Sequence, residues 1–132
     1  MPDCIFCKIA KNEIPSYRLY ETDNFIVMLD AFPKAEGHTL IIPKEHYPQV
    51  WDVPAELYQE YMDIVRKTAI SHKEKTGSQF SYSMIAGNQI AHAHIHVIPN
   101  IGKDFMEIID TPAEKIDPEQ AERLLVKLKI SE

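Results

Sequence analysis

The chain has no apolar run approaching the roughly 20 residues needed to span a bilayer. Its start, Met-Pro-Asp-Cys, lacks the basic-then-apolar order of a secretory signal. No membrane partner is expected, and the cytoplasm is the default compartment. Positive charge is also scarce, with 14 basic residues against 20 acidic ones and a net charge of −6. Duplex-binding domains carry a basic face because neutralised phosphates drive their affinity, so nucleic acid is not an expected partner. A small nucleotide remains compatible, since a pocket can be locally basic or rich in backbone donors. Cysteine occurs twice, at Cys4 and Cys7. In a reducing compartment such a pair binds metal or does redox chemistry more often than it forms a structural disulfide. Internal repeats and low-complexity linkers are absent.

What is present fits one compact domain: 132 residues, 45% of them apolar. We read it as a single domain over 1–132, with a core over 1–100 and a C-terminal extension over 101–132. Residues 4–10 suit a short helix, ended by the break at Asn12-Glu13-Ile14-Pro15. Segments 17–21, 25–30 and 38–43 read as strands from their aromatic and β-branched content, with a loop over 31–37 punctuated by Pro33 and Gly37. From Asp52 the period becomes helical, through Leu57, Tyr61, Ile64, Thr68 and Ala69 to a stop at Gly77. Strands follow near 80–86 and 91–99. A last helix starts with Asp117 as cap and Pro118 at its first position. The expected fold is α+β: a five-stranded antiparallel sheet with one long helix and short terminal helices.

Half of the six histidines lie within five residues, in His92-Ala93-His94-Ile95-His96. Side chains alternate along a strand, so the three imidazoles are expected on one face and Ala93, Ile95 and Val97 on the other, against a helix. Neighbouring rings would sit about 6.5 Å apart at the backbone, and the outer pair about 13 Å. Three such rings cannot converge on one zinc, whose nitrogen ligands lie at only about 2.0–2.1 Å. A row of imidazoles suits phosphate chemistry better, each ring serving as nucleophile, proton donor or cationic anchor near neutral pH.

Three segments together, CIFCKI, FIVMLDAFPKAEGHTLIIPKEH and AGNQIAHAHIHVIP, resemble the histidine triad family of nucleotide hydrolases and transferases. The resemblance runs from Cys4 to Pro99 and does not cover the tail. It implies that His94, the middle histidine, attacks the α-phosphorus to form a transient nucleotidyl-histidine, which water then opens to release a nucleoside monophosphate. His96 would contact the phosphate or help protonate the leaving group. His38 resembles the family's upstream histidine, against the plainer reading of a strand end. Asp30 matches the carboxylate that accepts from ribose hydroxyls, against that of a turn former. Ile5, Phe6, Ile9 and Leu29 match apolar positions around the base. Where the family carries Ala-Gly-Gln, this chain has Ala86-Gly87-Asn88-Gln89, leaving open whether Asn88 or Gln89 reaches a phosphate oxygen. Asn100 also replaces the basic residue that often follows Ile-Pro.

Cys4-x-x-Cys7 has the spacing to hold one tetrahedral metal. The resemblance to zinc-bearing members implies a closed, structural Zn²⁺ site of Cys4, Cys7, His46 and His92. A redox pair and two buried thiols are the competing readings. His72, in a charged helix end, is expected to be merely solvated. The resulting expectation is a homodimeric hydrolase of adenylated or guanylated purine substrates, either phosphoramidates or dinucleoside polyphosphates. Its interface would draw on Tyr58, Tyr61 and Met62 of the long helix. The alternatives are nucleotidyl transfer to an acceptor other than water, and a zinc-stabilised nucleotide-binding protein with little turnover.

Overall fold

In the computed structural model, which describes residues 4–131, the sequence pattern resolves into an α+β fold. Its elements are α1 (Ile5–Ala10), β1 (Arg18–Glu21), β2 (Phe25–Leu29), β3 (Thr39–Pro43), α2 (Ala55–Thr76), β4 (Ser81–Met84), β5 (Ile95–Pro99), α3 (Phe105–Asp110) and α4 (Pro118–Leu128). The five strands form one sheet in the order β1-β2-β3-β5-β4, and every pairing is antiparallel. No helix among the described residues is long and apolar enough to cross a membrane.

β2 and β3 are buried along their whole length because both faces of the sheet are covered. Alternate residues separate two cores. Leu19, Phe25, Val27, Leu29, Ile41, Ile95 and Val97 pack with residues of α2 and α4. Ile26, Met28, Leu40 and Ile42 pack with Phe6 and Ile9 of α1 on the opposite face. The segment after β5 joins the first core through Ile116, Ala121, Leu124, Leu128 and Ile130. Two backbone bonds tie it down: Ile116 N–H to Ala31 O (2.7 Å) and Ile130 N–H to Leu19 O (2.9 Å).

α2 ends as its sequence predicts. Gly77 adopts a left-handed conformation (φ 76°) and its N–H caps Lys73 O. The interior of α2 holds two corrections. Tyr61 is fully buried, tilted against Phe25 with ring centroids 4.6 Å apart, and its hydroxyl donates to Ile41 O at 2.8 Å. It is therefore core, with no surface to offer a second subunit, while Met62 is 51% exposed. His72 is the second correction. It is 0% exposed, because the spacing 61, 64, 65, 68, 72 keeps it on the helix face that meets the sheet.

Two further departures are local. The alternation from Ala91 predicts a strand, yet the ladder begins at Ile95. The pairing of Thr39 with Val97 and Ile41 with Ile95 would next oppose Ala93 to Pro43, which has no N–H to give. Ala93 N–H turns to Tyr47 O instead. α3 has no counterpart in the periodicity of the sequence. It starts on a reciprocal cap in which Asp104 accepts from Glu107 N–H and Glu107 accepts from Asp104 N–H.

Candidate active site and metal cluster

The departure of His92–His94 from the ladder sends the three histidines to different tasks. His94 Nδ1 lies 2.8 Å from His92 O. A carbonyl can only accept, so Nδ1 carries the proton and Nε2 keeps a free lone pair. Phe6 meets the His94 ring edge-on with centroids 5.4 Å apart. This buried ring, 7% exposed, is oriented by that bond, with Nε2 directed away from it.

His38 and His96 form the other half of the site. Lys34 N–H donates to His38 Nδ1 at 2.9 Å, at the turn where β3 begins. The proton of neutral His38 must then be on Nε2, which lies 2.8 Å from His96 Nδ1 and 3.4 Å from Asp30 Oδ2. His96 accepts on Nδ1, so its own proton sits on Nε2. Burial, reinforced by the neighbouring His96 and Lys34, pushes His38 down to about 3. Burial and the neighbouring His94 push His96 down to about 4. Both rings are neutral donors at pH 7. Asp30 closes the β2 end: Oδ1 accepts from Phe32 N–H at 2.8 Å, while burial raises its carboxyl above the ordinary range. It is both the turn former and a carboxylate facing the imidazoles.

His92 points elsewhere. Its Nε2–H donates to Pro43 O at 2.8 Å, leaving the Nδ1 lone pair aimed at Cys4 Sγ (3.3 Å), Cys7 Sγ (3.5 Å) and His46 Nδ1 (3.2 Å). Cys7 Sγ is 3.2 Å from His46 Nδ1, and all four donors fall within 4.8 Å of one another. Zinc bonds of about 2.0–2.3 Å to nitrogen and sulfur give tetrahedral edges of about 3.3–3.8 Å. The spacing and the inward lone pairs therefore fit a closed Cys₂His₂ metal. Asp30, His38 and His96 also converge, but there the Nε2 proton of His38 occupies the centre, so that group is a hydrogen-bonded chain. The redox reading required a parallel fold, whereas this sheet is wholly antiparallel.

The remaining residues divide by strand parity. Phe6 and Ile9 lie on the histidine face in one cluster with Met28. Ile5 is 45% exposed at the start of α1. Leu29 points to the opposite face, into the α2 core, and is corrected as a base-slot residue. Met28, two residues before Asp30, lies on the face of Phe6 and Ile9 instead, and the period of two carries the signal for it. Asn88 and Gln89 are both exposed in the loop ahead of the triad. Gln49 holds that loop by donating from Nε2 to Gly87 O at 3.2 Å. A Cβ on Gly87 would fall 1.8 Å from Gln49 Oε1, so a larger residue there would push the Gln49 side chain aside. Asn100 donates from Nδ2 to Lys103 O (3.1 Å), which engages it in its own turn.

Comparison with known proteins follows the same lines. The model of the HIT domain family matches residues 11–102. Adenosine 5'-monophosphoramidase HNT1 of Saccharomyces cerevisiae is 38% identical over 134 residues, covering 98% of this chain and 85% of the yeast protein. A Hit-like protein of Bartonella henselae superposes with a TM-score of 0.86 at 32% identity, over 98% of this chain and 96% of the other. A zinc-bound histidine triad family protein of Mycobacterium smegmatis gives a TM-score of 0.77 at 28% identity, over 96% and 94% of the two chains.

Proposed function

The chain belongs to the HIT domain family, and from that premise we propose that it hydrolyses nucleoside 5'-phosphoramidates at the α-phosphate through His94. The observation that carries this reading is the tautomer of His94, whose Nδ1–H is committed to His92 O. Nε2 attacks phosphorus as the P–N bond breaks, and the leaving nitrogen takes up a proton from solvent. His96, with its ring centroid 5.1 Å from that of His94, is the adjacent N–H donor for the phosphate or the departing nitrogen. The His92 carbonyl stabilises the positive charge that develops on the phosphorylated ring. Water then adds to phosphorus and returns a proton to solvent, and His94 departs as the same neutral tautomer, so the cycle closes.

Asp30 is assigned to the ribose hydroxyls, and Phe6, Ile9 and Met28 to the base. A purine fits the apolar character of that cluster. Cys4, Cys7, His46 and His92 would hold zinc, which, when bound, supplies a structural cross-link between α1, the segment after β3 and the triad. Thiol ligands are in keeping with a reducing cytoplasm. We assign the dimer surface to β4, at one edge of the sheet among the described residues, and to the exposed Met62 on α2. Replacing His94 by Ala is expected to abolish nucleoside monophosphate release from adenosine 5'-phosphoramidate, measured by chromatography. Turnover at the wild-type rate would refute the assignment.

A further inference from the structure

His72 has no part in the chemistry above, yet it is built into the sheet beneath the site. Its Nε2 lies 2.8 Å from Thr39 Oγ1, and that hydroxyl donates to Gly37 O, also at 2.8 Å. The threonine hydrogen is used on Gly37, so the contact is His72 Nε2–H donating to Thr39. Nδ1 of His72 is buried without a partner. An imidazole with an unsatisfied nitrogen is costly to bury, even on a helix face that also buries Thr68 and Ser71. Stability alone does not explain it.

The position of the chain suggests what does. Gly37 and Thr39 flank His38, and both are held from the far side of the sheet. Gly37 is left-handed (φ 86°), with space for a Cβ limited by Pro99 Cγ at 3.1 Å. His38 donates its N–H to Ala35 O, and its carbonyl accepts from Asp30 N–H. The direction of the His38 ring towards His96 thus depends on a turn whose two sides are joined through Thr39 Oγ1.

We propose that His72 is a positioning residue for His38. Through Thr39 it fixes the Gly37 carbonyl, and with it the backbone that presents the His38 ring to His96. The inference rests on the catalytic reading above, and its test separates the two. Thr39→Val and His72→Leu each break the chain, whereas Thr39→Ser and His72→Gln retain its hydrogen bonds. With adenosine 5'-phosphoramidate, the two breaking variants are expected to lose about ten- to hundredfold in kcat while KM stays within about twofold. The two retaining variants should return to within about threefold of wild type. Thr39→Val combined with His72→Leu should be no slower than the worse single variant.

A second readout needs no turnover. Nitrogen-15 spectra of the histidine rings should show one Nε2–H tautomer of His38 in the wild type and in His72→Gln, and a mixture in Thr39→Val. Should His72→Leu fail to fold, the Thr39 pair and His72→Gln carry the test. Unchanged kcat in folded Thr39→Val, or an unaltered His38 tautomer, would overturn the proposal. A wild type with no hydrolysis at all would instead overturn the catalytic reading, leaving the tautomer measurement to decide this one.

Discussion

Replacing His72 by Gln should flatten the acid sensitivity of the fold. Burial, with Lys75 on the same helix adding repulsion, pushes His72 from its ordinary 6.5 down to about 4. The unfolded chain takes up a proton near 6.5, while the folded chain refuses it until about 4. The neutral ring's contribution is therefore fully present above 6.5 and is lost as pH falls towards 4. The whole gap is worth about 3 kcal/mol, of which about 2.5 kcal/mol is gone at pH 4.5. Glutamine keeps a donor for Thr39 and cannot titrate. Urea unfolding at pH 7.5 and pH 4.5, at one chain concentration and metal content, gives the stability of each protein at each pH. The wild type is expected to lose about 2.5 kcal/mol more than His72→Gln over that interval. Any other acid-labile groups, metal ligands included, are shared by both proteins and cancel. Equal losses would refute the argument that this imidazole is buried and neutral.

The other expectations follow from single contacts. Asp30→Ala should raise KM for adenosine 5'-phosphoramidate about ten- to hundredfold, the worth of hydrogen bonds to a charged group, with kcat within a fewfold in steady-state assays. Cys7→Ser should remove one zinc equivalent by metal analysis and lower the thermal midpoint by about 10 °C, since a ligand bound only to the folded state stabilises it. Gly37→Ala forces a left-handed alanine whose Cβ meets Pro99 at 3.1 Å. It should cost about 1–2 kcal/mol, read as a melting point about 5 °C lower.

Long, periodic elements were legible in the amino-acid sequence. The apolar repeat of α2, its stop at Gly77 and the Asp117-Pro118 start of α4 all lie where composition and caps place them. A local cue misleads where residues elsewhere decide the outcome. His72 looked solvated beside Lys73 and Lys75, although the helical spacing from Tyr61 and Thr68 already turned it inward. Leu29 was placed with Asp30, although period-two parity puts it on the other face of β2. The alternation of His92 and His94 suits a strand, but Pro43 on the neighbouring strand ends the pairing before it reaches them. α3 was missed because six residues are too few for a helical period, even with Asp104 and Glu107 spaced for a reciprocal cap. The group of Cys4, Cys7, His46 and His92 joins residues up to 88 positions apart, and no local pattern shows that their donor atoms converge.

The family match ends at residue 102, but the hydrophobic interior does not. Leu124, Leu128 and Ile130 share a cluster with Leu19 and Val27. A protein trimmed at that limit would present a greasy wound where α4 had been, and Leu19 O would lose the N–H of Ile130. The loop bearing Lys34 would come loose as well, because Lys34 Nζ anchors on Thr111 O at 2.8 Å. The last thirty or so residues are thus a retaining wall for the turn that leads into His38. Swapping them between relatives amounts to rebuilding the enzyme's interior.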